Sequence, residues 1–359
     1  MSPMLRSVEQ AGQEALILKR APHQITAEDF FEDTEKLRIA FAQLINAPDP
    51  KRIVSIPAVS YGIATVVNNI ALESGDEIIV ADEQFPSNYY AWEKTATESG
   101  GLLKTITPPN ELQDRSKRWN ENILNAITPK TKVVAIAHVH WADGTLFDLM
   151  AIRKATKAVG ALLIIDGTQS VGALPFDVQQ IQPDALICAG YKWLMGPYSI
   201  GLAYYGEYFD DGNPIEQNWI NRKESENFAN LVNYASEYQP VSQRYGVGEQ
   251  SNFILVPMMI AALNQLNEWQ PKNIEQYCES ISQESVMSLR EAGFHIEEGA
   301  NRGKHLFGIR IPSHLQIDDI NQKLKDANIY VSIRGNAIRV APHLYNDSSD
   351  FDRLLEVLI

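Results

Sequence analysis

Residues 162–201 read LLIIDGTQSVGALPFDVQQIQPDALICAGYKWLMGPYSIG. The apolar run 162–165 stops at an acid, Asp166, and a polar turn then brings Gln169. A second apolar run, 185–189, stops shortly before Lys192. Runs of this length between turn signals predict two buried, neighbouring strands of a parallel sheet. Both would deliver their last side chains to the same edge, where open α/β sheets bind ligands. A carboxylate and an amine are therefore expected at one site.

That pairing has a chemical use. A lysine in an enclosed site loses its proton more readily and becomes a nucleophilic amine. Such an amine condenses with an aldehyde, and pyridoxal phosphate is the common aldehyde cofactor. The cofactor needs an acid facing its pyridine nitrogen, to keep the ring an electron sink. Asp166 suits that place, and Gln169 could donate to the ring's phenolic oxygen. Taken singly, each residue reads more simply, as an acid capping a turn or a lysine at the surface. The combination decides.

The pattern D-x-x-Q followed by G-Y-K-W-L-x-G-P resembles the class V aminotransferase group of fold-type-I pyridoxal-phosphate enzymes. That group holds cysteine desulfurases, isopenicillin-N-epimerase-like proteins and several aminotransferases. The resemblance runs from about Ser2 to the C-terminus. It implies that Lys192 forms the Schiff base, that Asp166 partners the pyridine nitrogen and that Gln169 partners the phenolate oxygen. It also implies a seven-stranded, mainly parallel sheet with the last-entered strand antiparallel, in a homodimer with shared active sites. The chain starts late against a segment that members carry ahead of the equivalent of Ser2-Pro3. It also departs where members have Ser or Thr, one residue, then His before the lysine. Ala189, Gly190 and Tyr191 stand there.

Other stretches fill out the site. Ser60-Tyr61-Gly62 follow a strand and open a helix, and a helix N-terminus attracts anions. The resemblance makes these three candidates for the cofactor phosphate; a plain Ser N-cap is the simpler alternative. Phe85 matches the aromatic residue that members stack on the pyridine ring, although a loop Phe is as often structural. His138 and His140 at i and i+2 have the spacing of a metal-ligand pair, but no third ligand is in register. His140 or Trp141 is expected to face the ring or the substrate, and His138 to pack in the strand. Gly248, Ser251 and Asn252 match the loop that members reach into the partner subunit's site, with Glu249 where a Thr is usual. Arg339 matches the arginine that grips the substrate α-carboxylate, and Arg334 is a second basic candidate on the preceding strand. A planar guanidinium fork suits a carboxylate.

The bulk composition agrees. The 359 residues include 45% hydrophobic ones, enough for a large core. A net charge of −14 without a basic block argues against nucleic acid as a partner. No apolar run suits a signal segment or a membrane span. Two distant cysteines point to a reducing compartment, and the cytoplasm is the expected location. Strand and helix alternate up to about residue 205 in the βαβ manner of a parallel sheet covered on both faces. The expected organisation is an N-terminal arm, 1–20, packed on the small domain, a large cofactor-binding domain, 21–253, and a small α+β domain, 254–359. The partner is expected to be a small amino acid. Residues 298–337 contain no Cys, whereas persulfide-forming desulfurases need one shortly before the substrate-binding Arg. Transamination is preferred, with epimerisation or racemisation and β-elimination as alternatives. A Rossmann-like nucleotide binder would need a glycine-rich turn that Ser60-Tyr61-Gly62 does not supply; a binder of the cofactor without turnover ranks below an enzyme.

Overall fold

The run 162–166 forms a fully extended strand, and around it the computed structural model, which describes all 359 residues, builds one large sheet. Helix α1 (Arg6–Leu18) and α2 (Asp29–Leu44) precede the alternating part. There follow β1 (Ile53–Ile56), α3 (Val59–Val67), β2 (Glu77–Ala81), α4 (Tyr90–Ser99), β3 (Leu102–Ile106) and α5 (Arg115–Ala126). Next come β4 (Thr131–Ala137), α6 (Leu149–Val159), β5 (Leu162–Asp166), the short α7 (Val178–Ile181), β6 (Ala185–Ala189) and β7 (Gly201–Tyr205). The strands lie in the order β1-β7-β6-β5-β4-β2-β3. All are parallel except β7, which runs against both β1 and β6. Every residue of β1, β2, β6 and β7 is buried, as helices on both faces demand.

The C-terminal part contains α8 (Leu255–Trp269), α9 (Pro271–Glu291), β8 (Phe307–Arg310), α10 (Ile317–Asp326), β9 (Ser332–Arg334), β10 (Ala337–Val340) and α11 (Ser348–Leu358). Its antiparallel sheet has the order β8-β10-β9. A strand is also predicted at 294–297; only a single bridge, His295 to Arg310, forms there. Phe294 and Ile296 still bury themselves in the small core, so alternation survives without a ladder.

α1 packs on α8, and Gly12 lies so close to Met258 that a Cβ would stand 2.9 Å from its sulfur. The buried faces of α1 and α8 join the large core, through Val8, Met259 and Leu263 among others. The expected boundary at 253–254 thus opens on a helix shared with the large sheet layer, and α9 leads from it to the small sheet. No helix is long and apolar enough to cross a membrane.

Candidate active site

β5 ends on Asp166, and β6 ends three residues before Lys192. Between them the chain turns at Gly190, whose N–H donates to Ile200 O at 3.0 Å. A Cβ at Gly190 would lie 2.2 Å from that same oxygen, so only glycine fits. This turn brings Lys192 back over the strand ends. Lys192 and Asp166 then wall one cavity of about 240 Å³ at the C-terminal edge of the parallel strands. The first turn of α3 and the loops after β2 and β4 complete it with Ser60, Phe85 and Trp141.

Both ionisable groups are shifted by enclosure. Burial pushes the Asp166 carboxyl up, while hydrogen bonds to Thr168 and the Lys192 charge pull it back. Its Oδ1 accepts the Thr168 N–H at 2.9 Å. Burial lowers the Lys192 amine; the Asp166 charge opposes this, and the Arg339 and Arg334 charges reinforce it. A lowered pKa leaves more neutral amine at ordinary pH, which is what a nucleophile needs. Lys192 Nζ stands 5.2 Å from the Phe85 ring centre, and Phe85 meets Trp141 edge-on at 5.6 Å.

Gln169 is held from two sides. Its Oε1 accepts from Trp193 Nε1 at 3.0 Å, and its backbone O accepts from His305 Nε2 at 2.6 Å. With the amide oxygen so engaged, the NH₂ group is the end left to donate. Thr168 ties the two strand ends together, because its Oγ1 accepts the Ala189 N–H at 3.0 Å. None of Thr168, Trp193 and His305 was expected from the sequence. Trp193 could have been noticed from its place beside Lys192; His305 is distant in sequence and left no such sign.

The N-terminus of α3 opens on the same cavity. The amides of Val59 and Ser60 and the Ser60 hydroxyl meet no acceptor or donor within the chain. Ser60 lines the cavity as expected, but Tyr61 and Gly62 do not. Tyr61 turns outward, and Gly62 is buried against Ile187, where a Cβ would come within 2.7 Å of Cγ2. Gly62 therefore serves helix-to-sheet packing. Tyr198 and Ser199 line the wall beside Ser60, at the end where Ala189 and Tyr191 replace the usual polar pair.

The pair after β4 separates. Trp141 faces the cavity, whereas His140 lies behind it, buried between Asp143 Oδ1 at 3.2 Å and Glu83 O at 3.1 Å. The turn after β4 directs successive side chains to opposite sides, which corrects the candidacy of His140 for the ring. Gly248, Ser251 and Asn252 do not line this chain's cavity either. The Gly248 N–H donates to Glu216, Ser251 Oγ to Phe30 O, and Asn252 Oδ1 accepts the amides that open α8 at 3.1 and 2.8 Å.

Arg334 and Arg339 reach an adjoining cavity of about 250 Å³, which shares Phe85, Trp141, Gln169, Tyr191 and Lys192 with the first. Arg339 Nη1 donates to Trp141 O at 2.7 Å, which fastens the small sheet to the loop after β4.

An amine, a buried acid, a fixed amide donor, two aromatic walls and free amides at a helix N-terminus converge here. This donor set fits a phosphorylated pyridine aldehyde: a nucleophile for the aldehyde, an acid for the ring nitrogen, N–H groups for the phosphate. A protein of this fold with these side chains is a pyridoxal-phosphate enzyme of the mainly parallel α/β type.

The chain belongs to the class V aminotransferase family, whose model matches residues 16–347. Its cofactor is pyridoxal 5'-phosphate. It is similar to the uncharacterized aminotransferase YcbU of Bacillus subtilis, with 24% identity over 92% of this chain and 84% of that one. It is also similar to isopenicillin N epimerase of Amycolatopsis lactamdurans, with 22% identity over 86% of this chain and 80% of the other. Among solved structures, the fold is shared with C-DES, solved with glycine covalently linked to its PLP cofactor. That match has a TM-score of 0.85 and 21% identity, covering 99% of this chain and 93% of that one.

Proposed function

We propose that the protein transfers the amino group of an amino acid to a 2-oxo acid through its bound pyridoxal phosphate. The observation that carries this is the content of the two cavities: Lys192 is their one lysine, no His, Cys or Glu lines either, and the other amine, the Met1 N-terminus, lines only the second and not the cavity that holds Asp166. Transamination needs one base that removes a proton from one carbon and returns it to another. Epimerisation by two bases needs a second one on the opposite face. Persulfide formation needs a thiol, and both Cys188 and Cys278 are buried away from these walls.

The bound cofactor would supply an electron sink for the carbanion left on the substrate α-carbon. Asp166 would hold the proton on the ring nitrogen, Gln169 would donate to the phenolic oxygen, and the Val59 and Ser60 amides with Ser60 Oγ would take the phosphate. Phe85 and Trp141 exclude water from the reacting face. Arg339 orients the substrate by its α-carboxylate, and Lys192 Nζ accepts and returns the α-proton. Gly248, Ser251 and Asn252, turned away from their own cavity, would lie beside that of a second copy in a homodimer. A fully active monomer in sedimentation would refute that assembly.

The test is direct. Purified protein should absorb near the visible edge, and borohydride should fix the cofactor on Lys192 as seen by peptide mass. Lys192→Ala should lose the adduct. Amino acids should bleach the band with one 2-oxo acid released per site, and an added 2-oxo acid should restore it. Inversion at the α-carbon, or ammonia release without recovery of the band by the oxo acid, would overturn transamination.

A further inference from the structure

Three arginines stand on the face of the small sheet turned to the large domain. Arg310, Arg334 and Arg339 share it because Ala337 on β10 is opposite both Arg310 and Arg334, and Arg339 is two residues along. The fold pairs the first with an acid: Arg310 Nη2 meets the buried Asp143 carboxylate at 2.9 Å, which it shares with Arg115. It supplies no acid to the other two, and neither Arg334 nor Arg339 forms an ion pair. Yet the chain carries 45 acidic residues against 31 basic ones. Two unneutralised guanidinium groups beside Lys192 are thus a local arrangement set against the overall charge.

Their hydrogen bonding is also unspent. Two guanidinium groups carry ten N–H bonds between them. Three donate within the chain: Arg334 Nη1 to Ile333 O at 2.8 Å, Arg339 Nη1 to Trp141 O at 2.7 Å and Arg339 Nη2 to Ser332 Oγ at 3.4 Å. Arg334 Nε is buried without a partner. Both groups lie against the Trp141 indole, 5.1 Å and 6.0 Å from its ring centre, so one side of each is shielded from water. Their Cα atoms occupy diagonal positions on the hairpin, about 7–8 Å apart. That spacing lets each fork take its own anion rather than crowd one.

We infer that the substrate is a short dicarboxylic amino acid, or the matching dicarboxylic 2-oxo acid. Arg339 holds its α-carboxylate and Arg334 its distal carboxylate. This rests on the amino-acid chemistry proposed above and adds the substrate class to it. A carboxylate is favoured over a phosphate because no helix N-terminus opens on this cavity, and the single Arg334 fork matches a singly charged carboxylate in bidentate pairing.

The experiment titrates the holoenzyme with alanine, aspartate, glutamate and O-phosphoserine, following the absorbance of the bound cofactor. Calorimetry with succinate, which has no amine, runs beside it. Aspartate or glutamate should bind at least tenfold more tightly than alanine. Arg334→Gln should weaken the dicarboxylic ligands and succinate by about tenfold to a hundredfold and leave alanine within about twofold. Arg334→Lys should recover part of that loss. Equal weakening of alanine and aspartate would mean that both arginines hold one carboxylate, and the inference falls. Equal affinity of the parent enzyme for alanine and aspartate, or tighter binding of O-phosphoserine, also overturns it. If no amino acid alters the spectrum while succinate still binds through Arg334, the fault lies in the proposed amino-acid chemistry and the two-carboxylate site stands. Should the Gln variant release the cofactor, the parent's preference and the Lys variant decide the matter.

Discussion

Asp143→Asn is the sharpest test of how the small sheet is held to the catalytic loop. The Asp143 carboxylate lies buried after β4 and meets Arg115 Nη1 at 2.6 Å, Arg310 Nη2 at 2.9 Å and His140 Nδ1 at 3.2 Å. Burial alone would raise its pKa, but the His140 hydrogen bond and the charges of His140, Arg115 and Arg310 hold it well below the usual carboxylate range. The amide keeps the shape and removes the charge. Arg310 retains Asn336 as a second acceptor at 2.6 Å, whereas Arg115 loses its only counter-charge and keeps, besides the neutral amide, only the face of Trp119. Stranding one buried charge costs about 3–5 kcal/mol. For 359 residues the unfolding entropy is about 750 cal/mol/K, so Tm should fall by about 4–7 °C. Calorimetric scans of the two proteins, each saturated with cofactor, measure this. Adding Arg115→Met removes the stranded charge, and that double variant should lose less than Asp143→Asn alone. A shift under about 1 °C, or a double variant worse than the single, would refute the assignment.

Three further outcomes are expected. Trp193→Phe keeps the ring but frees the Gln169 amide, so the cofactor should bind roughly tenfold more weakly with a displaced absorption maximum; an unchanged spectrum and affinity would remove Trp193 from any positioning role. Gly190→Ala should abolish soluble holoenzyme or lower Tm steeply, since its Cβ has nowhere to go, and a normally stable variant would contradict the turn described. His305 and His343 are buried, and burial lowers them to about 3 and about 4. Their unfolded forms titrate near 6.5, so the unfolded state binds more protons below that pH. The stability they contribute is present above pH 6.5 and is lost as pH falls towards 4, by up to about 1.4 kcal/mol per pH unit for each. Urea midpoints at pH 7 and pH 5 measure it, and equal midpoints would sink the claim.

The order of strands and helices along the chain was legible because a buried parallel strand is a short apolar run, and those runs are plain from 53 to 205. So was the meeting of Lys192 with Asp166, since parallel neighbours send their C-terminal residues to one edge whatever the register. Less was legible where a side chain's direction depends on a turn. The residues His140 and Trp141 are equivalent in the sequence; the loop geometry puts one behind the wall and the other on it. Gly62 shares a motif with Ser60, yet its role is contact with Ile187 across the helix–sheet interface.

The amino-acid sequence by itself thus determined the fold class, the family and the amine–acid pair, because period and strand-end position are local properties carried by consecutive residues. Only the tertiary structure decided which groups hold Gln169, which arginines pair with Asp143 and which two, Arg334 and Arg339, have no acid. Those depend on contacts between segments more than a hundred residues apart, such as His305 with Gln169 and Arg310 with Asp143. No pattern within either segment records the other.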